Sequence, residues 1–201
     1  MKKLILPLVT LLLFSFSMDT SKLSDEDRKK AVDHLENTRD EMAKILKGLS
    51  EAQLNFKAEE DSWSIAECAE HIAISENMIF GMLQGALQTA ADPSKRAEVK
   101  MSDEELIGII ESREQKVKTR EPFEPTGKYG SHEATVNEFL AKRNEHISYI
   151  KSTEDDLRNH YGQLPFGTVD GVQILLFMSG HTERHLDQMK EVMAHKLFPK
   201  G

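Results

Sequence analysis

The sequence predicts an all-α protein, a bundle of four main helices, on three observations. Helix starts repeat one chemistry: a Ser followed three residues later by an acid or Gln, the pattern in which two side chains cap each other's backbone N–H groups. Apolar residues then recur at steps of three and four, the spacing of one helical face. Pro and Gly fall between these segments, in "ADPSK" and "EPFEPTGKYG", and no run alternates with period two for long enough to argue a strand.

The elements follow in order. Ser24 with Asp27 opens a first helix to about Leu49, with Val32, Leu35, Met42, Ile45, Leu46 and Leu49 as its stripe. Ser50 with Gln53 predicts a short turn of helix. Ser64 with Glu67 opens a second long helix through Ile65, Ile72, Ile79 and Leu83 to about Thr89. Gly81 and Gly85, four apart on it, predict a close helix approach, since each costs about 1 kcal/mol against Ala. Ser102 with Glu105 opens a third helix, and a fourth runs from about His132 through Val136, Phe139, Leu140, Ile147 and Ile150. Ser152 with Asp155 suggests another short turn, and a last long helix runs from about Asp170 to His195. Burying these stripes against one another gives the bundle.

With 201 residues, 39% of them hydrophobic and 30% charged, the chain is long enough for one sizeable core. The formal net charge is −8 with acids and bases interspersed. With no basic stripe, the sequence argues against nucleic acid as a partner. The start, "MKKLILPLVTLLLFSFS", has two lysines, an apolar run and then small residues, the order of a secretory signal peptide. The run is shorter than the ~20 apolar residues a membrane span needs. Residues 1–17 are therefore expected to be a signal and 18–201 a single exported domain, periplasmic or extracellular, with no stable membrane span. An uncleaved leader would act as an N-terminal anchor and place the domain on the same side. Cys68 is the single cysteine, so stability must come from packing or from something bound.

The stretch "SGHTERHLDQM" places His181 and His185 one turn apart on the face that also carries Ile174, Met178 and Val192. Two buried imidazoles have four nitrogens to satisfy and would repel if protonated. They are either satisfied core residues or metal ligands, which neutral imidazoles one turn apart reach at ~2.0–2.1 Å. The order H-x-E-x-H is not the metalloprotease H-E-x-x-H. Glu183 falls about 200° from either His at 100° per residue and should point away. On the second helix, "SWSIAECAEHIAISEN" offers His71 as a third ligand. Cys68 lies on nearly the same face, as an extra ligand, a thiol nucleophile or a small apolar filler. His34, His132, His146, His160 and His195 fall at stripe edges, loops or ends and read as surface or capping residues.

Together "DSWSIAECAEHI" and "SGHTERHLDQM" resemble the DinB/YfiT-like superfamily, in which W-S-I-x-E-x-x-x-H-I opens the second bundle helix and H-x-x-x-H lies on the last. "LSEAQLNFKAEEDSW" fits the family's linker between its first two helices, so the resemblance covers most of residues 24–196. It implies a four-helix bundle holding a divalent metal, zinc or nickel, on His71, His181 and His185, with Trp63 closing one end of the core. It also implies a homodimer, to which Leu176 and Phe177 would add an apolar face. Three neutral His ligands leave a coordination position open, the mark of a catalytic rather than a structural site. Relatives implied by the resemblance include thiol-dependent isomerases and bacillithiol-type S-transferases. Such thiols are cytoplasmic, and an exported chain favours a hydrolase-like reaction on a small molecule with metal-activated water as nucleophile. The alternatives are a metal-dependent thiol S-transferase and a non-catalytic, exported metal-binding or stress-associated bundle. Glu67, Ser75 and Gln188 approach the metal from the flanks of their helices, and spacing does not choose a general base among them. An unperturbed His titrates near ~6.5, so metal occupancy is expected to weaken below that pH.

Overall fold

The computed structural model describes residues 22–114 and 117–200; the expected signal segment lies outside them. In chain order the main elements are α1 (Asp25–Leu46), α2 (Glu51–Leu54), α3 (Ile65–Ala86), α4 (Asp103–Glu111), α5 (His132–Ser152), β1 (Tyr161–Leu164), β2 (Gly167–Asp170) and α6 (Gly171–Met193). The capping chemistry sets the starts. Ser50, Ser64 and Ser102 each form a reciprocal box with the residue three on, and Ser24 accepts from the Asp27 N–H. Asp170 caps α6 in the same way, with Gln173 as its partner, a box that uses Asp in place of Ser.

Four long helices make the bundle. α1 and α3 each pack against both α5 and α6, whereas α1 with α3, and α5 with α6, make no comparable contact. The order around the bundle is therefore α1, α6, α3, α5, and two of the three connections between successive long helices cross its diagonal. α4 lies outside this ring, against α6. Among the described helices none is long and apolar enough to cross a membrane.

The apolar core is in two parts. One holds Leu35, Ile79, Leu83, Ile150, Ile174 and Leu175, the other Met42, Ile65, Ile72, Phe139, Leu186 and Met189. Between them runs a buried polar layer. Arg143 of α5 and Glu76 of α3 are both fully buried, with Nη2 and Oε2 at 2.8 Å and Nε on Oε1 at 2.8 Å. Arg143 also donates from Nη1 to the Leu35 carbonyl (3.0 Å) and Thr38 Oγ1 (2.7 Å), and from Nη2 to Thr182 Oγ1 (2.8 Å). All five N–H donors of the guanidinium are thus satisfied. His146 Nδ1 donates to Glu76 Oε1 at 2.8 Å, and its ring stacks on Phe80 with centroids 3.7 Å apart. Burial alone would raise the Glu76 carboxyl, but Arg143 and His146 together outweigh it and hold it below the ordinary carboxylate range. His146 is therefore no surface residue but a core partner of Glu76. His160 is buried too, with Nδ1 3.1 Å from the Ala86 carbonyl.

A second cation, Arg158, bonds Asp27, Asp103 and Asp170, so one side chain ties the first turns of α1 and α4 to the cap of α6. Burial would raise Asp103, but Arg158 and Lys30 outweigh it and hold that carboxyl at about 2.

Several expectations are corrected. β1 and β2 pair antiparallel, Tyr161 opposite Asp170 and Leu164 opposite Gly167. Strands of four residues joined through Pro165 and Phe166 are too short to show an alternating pattern. Ser152 does not open a new turn: it is the last residue of α5, its hydroxyl bonded to the Ser148 carbonyl, and the following 3-10 turn spans Leu157–Asn159. Gly81 and Gly85 make no close approach, for a Cβ at either would meet nothing within 4 Å. That approach occurs at Gly180, where a Cβ would lie 3.3 Å from Ile110 of α4. Leu176 is fully buried and adds nothing to an outer face.

Removing Arg143 should leave Glu76 as an uncompensated buried charge. Arg143→Ala is expected to cost about 3–5 kcal/mol in urea unfolding. Lys29→Ala, which breaks an exposed pair with Asp33, should cost at most about 1 kcal/mol. Equal losses in the two variants would show that the polar layer contributes no more than a surface pair.

Candidate metal centre

α3 and α6 pack along their lengths, and this brings His71 to His181 and His185. One ring nitrogen of each lies within 4.8 Å of the others, and they are the only such group of metal-ligating side chains among the described residues. His71 and His185 are buried and His181 half-buried. The ring centroids are 4.4 Å apart for His71 and His185, 4.9 Å for His71 and His181, and 4.7 Å for His181 and His185.

The outer nitrogens of two of the rings are assigned by their partners. His71 Nδ1 lies 2.6 Å from the Phe123 carbonyl, which only accepts, so that nitrogen carries the proton and Nε2 has a bare lone pair. His185 Nδ1 lies 2.9 Å from Gln188 Oε1. The same oxygen faces Arg113 Nη1 at 3.4 Å, and because Arg only donates, the amide must present oxygen to both. His185 therefore also donates from Nδ1 and frees Nε2. Arg113 is itself held by both carboxylate oxygens of Glu191.

These residues fit a divalent metal. His71 Nε2 and His181 Nε2 are 3.1 Å apart, and two nitrogens ~2.0–2.1 Å from one ion lie about 2.9–3.3 Å apart at ordinary coordination angles. A hydrogen bond between the two rings would satisfy that pair alone, but it leaves the freed Nε2 of His185 without a role. Ser75, one turn along α3 from His71, also has a buried hydroxyl with no partner.

Trp63, just before the α3 cap, lies against two of the three rings, its centroid 4.7 Å from His71 and 5.9 Å from His185. Phe177 flanks the third, 6.0 Å from His181, and Phe166 of the hairpin turn lies 6.1 Å beyond it. Of the flanking candidates, Gln188 is the hydrogen-bond partner of His185. Glu67 spends its carboxylate on the Ser64 cap (2.8 Å) and on Lys57 (2.8 Å). Cys68 is fully buried in the apolar cluster with Ile65, Phe139 and Leu186, and burial pushes its thiol up to about 12, so it stays protonated. Glu183 points outward to Lys190 at 3.4 Å. The Phe123 carbonyl is invisible to residue-pattern reasoning because any residue supplies one.

Burial sets the protonation of the rings. It lowers the pKa of His71, with the Phe123 carbonyl opposing. Desolvation first, and then His71, push His181 down to about 3, while burial and the neighbouring imidazoles hold His185 well below its ordinary value. The folded site therefore keeps its imidazoles neutral below the ~6.5 assumed from free histidine. The sign for stability follows: below about pH 6.5 the unfolded chain takes up protons that the folded site refuses, so stability falls as pH drops. Metal-free protein should lose urea stability steadily from about pH 6.5 towards pH 4. His181→Gln should flatten part of that slope, and an identical slope in the variant would show that these rings do not titrate as described.

Comparison with known proteins gives the family and the fold. A family model described as the DinB superfamily matches residues 34–189. YuaE, an uncharacterized protein of Bacillus subtilis strain 168, is 28% identical over 148 residues, spanning 73% of this chain and 87% of the relative. The solved structure of Bacillus subtilis YfiT, a probable metal-dependent hydrolase with an unusual four-helix bundle topology, superposes with a TM-score of 0.59 at 13% identity. It covers 85% of this chain and 88% of its own. At that identity the likeness speaks for the fold alone. With the family model spanning most of the bundle, the chain belongs to the DinB superfamily.

Proposed function

We propose that this protein is a hydrolase-like metalloenzyme that holds one zinc or nickel ion on His71, His181 and His185 and acts outside the cytoplasm. The observation that carries this reading is the convergence of three imidazoles, two of which have their outer nitrogens assigned so that the inner ones are free to ligate. YfiT's description as a probable metal-dependent hydrolase supports the same class, and the apolar leader supports export. An ion bound there supplies Lewis acidity and activates water at its open position. The chain's own part is to orient and shield. Phe123 and Gln188 fix two ring orientations, and such partners raise ligand basicity and hold the rings for the metal. Trp63 covers His71 and His185, and Phe177 flanks the less buried His181. Gln188 has no titratable group and is already engaged, so it does not serve as a base.

Elemental analysis of the chain without residues 1–17, prepared free of chelator and of metal-binding tags, tests this directly. About one ion per chain is expected, lost in both His71→Ala and His181→Ala. Chelation should lower the melting temperature, because a ligand present at 100 times its Kd adds about 2.7 kcal/mol to the folded state. Metal-dependent turnover of ester or amide substrates would then establish hydrolysis. An absence of metal, with both variants folded as the parent, would reduce the histidines to packing and end the enzymatic reading.

A further inference from the structure

Beside His71 stands Glu70, a buried carboxylate at 8% exposure that accepts hydrogen bonds from three backbone N–H groups of one loop. Its Oε1 accepts from the backbone N–H of Thr126 (3.2 Å) and Lys128 (2.6 Å), and its Oε2 from that of Gly127 (3.0 Å). Three successive N–H groups converging on one carboxylate form an anion nest of the kind backbone turns offer. Gly127 has φ +76°, in the left-handed region where glycine is at ease. The same loop carries the 3-10 turn Glu121–Phe123, which packs on α3 and whose last carbonyl receives the Nδ1 proton of His71 at 2.6 Å. Only Glu124 and Pro125 separate that carbonyl from the nest, and Pro125 fixes one of the backbone angles between them.

We propose that Glu70 is a positioning residue for the metal centre: its carboxylate holds the strap 121–128 and thereby keeps the Phe123 carbonyl on Nδ1 of His71, leaving Nε2 bare for the ion. The helix that supplies the ligand thus also supplies the anchor of the ligand's hydrogen-bond partner, one residue away. Lys128 and Gly127 act through their backbone N–H groups, so the strap depends on chain geometry rather than on their side chains. The consequence for affinity rests on the metal reading above, but the consequence for the His71 tautomer does not.

The test compares the full chain with Glu70→Gln, which weakens the nest, and with Lys128→Pro, which removes its shortest donor and leaves α3 untouched. Nitrogen-15 NMR of the imidazoles in metal-free protein reads the tautomer, and competition with a zinc chelator reads affinity. The parent should show His71 as the Nδ1–H tautomer alone. Both variants should show a mixture of the two tautomers, with zinc affinity lower by about 10–100-fold while the melting curve remains cooperative. A pure Nδ1–H tautomer with unchanged affinity in both variants would overturn the proposal. A change in Glu70→Gln without one in Lys128→Pro would also overturn it, since Glu70 would then act through α3 and not through the strap. If Glu70→Gln does not fold, Lys128→Pro alone decides. If the parent binds no zinc, the metal reading fails, and the tautomer measurement still upholds or overturns the role of Glu70.

Discussion

One guanidinium touches all four helices of the bundle. Arg143 rises from α5, pairs with Glu76 of α3, and donates to Leu35 and Thr38 of α1 and to Thr182 of α6. A planar fork of five donors cannot shift by a helical turn and keep its partners, so the layer sets the register of every helix pair at once. The histidine cluster inherits that register. Glu76 lies five residues beyond His71 on α3, and Thr182 sits between His181 and His185 on α6. Holding Glu76 and Thr182 on the same cation fixes how α3 and α6 are rotated and translated against each other. Ligating nitrogens must agree to within about 0.5 Å, a tolerance that apolar packing alone meets less reliably than a fully bonded polar layer.

The gain is in specificity more than in stability. Replacing a buried ion pair with apolar residues of like volume is often neutral or stabilising, and Arg143 with Glu76 interrupts what would otherwise be one continuous core. The hydroxyls make the arrangement tolerable. Thr38 and Thr182 accept from Arg143 and pass their own protons to the carbonyls of His34 and Met178, at 3.1 Å and 3.0 Å. Every N–H of Arg143, both oxygens of Glu76 and both threonine hydroxyls are engaged, the condition under which a buried network orders a fold rather than weakening it.

Much of this was legible in the sequence where the physics is local. Ser24, Ser50, Ser64 and Ser102 each cap the helix they announce, because a cap is decided within four residues. His71, His181 and His185 converge because stripe positions on packed helices must face one another. The misses are interactions between segments distant in the chain. Arg143 stands four residues from Phe139 and from Ile147, and Glu76 four from Ile72 and three from Ile79, so both lie on apolar stripes. A charge on a stripe is a signal, but its partner is named only by the helix order, and that order crosses the bundle's diagonal. His146 was misplaced for the same reason, as its carboxylate lies on another helix. Gly81 and Gly85 misled because spacing says which residues share a face and not which face is covered. The hairpin was unreadable because four-residue strands carry too little periodicity.

The three histidines are not equivalent, and the difference bears on how the site works. His71 and His185 are buried, have their outer nitrogens engaged, and lie against Trp63; His181 is half-buried and is flanked by Phe177 and, beyond it, Phe166 at the hairpin turn. The two partners that orient rings come from outside the pair of ligand helices or from its far end: Phe123 from the strap before α5, and Gln188, backed by Arg113 after α4. α4 packs on α6, so Arg113 ties the setting of His185 to an element outside the bundle. Two of the imidazoles are thus fixed by separate elements, while the third is the least buried of the three. Fixing ring orientations through separate elements is what holds such a constellation to a narrow geometric tolerance.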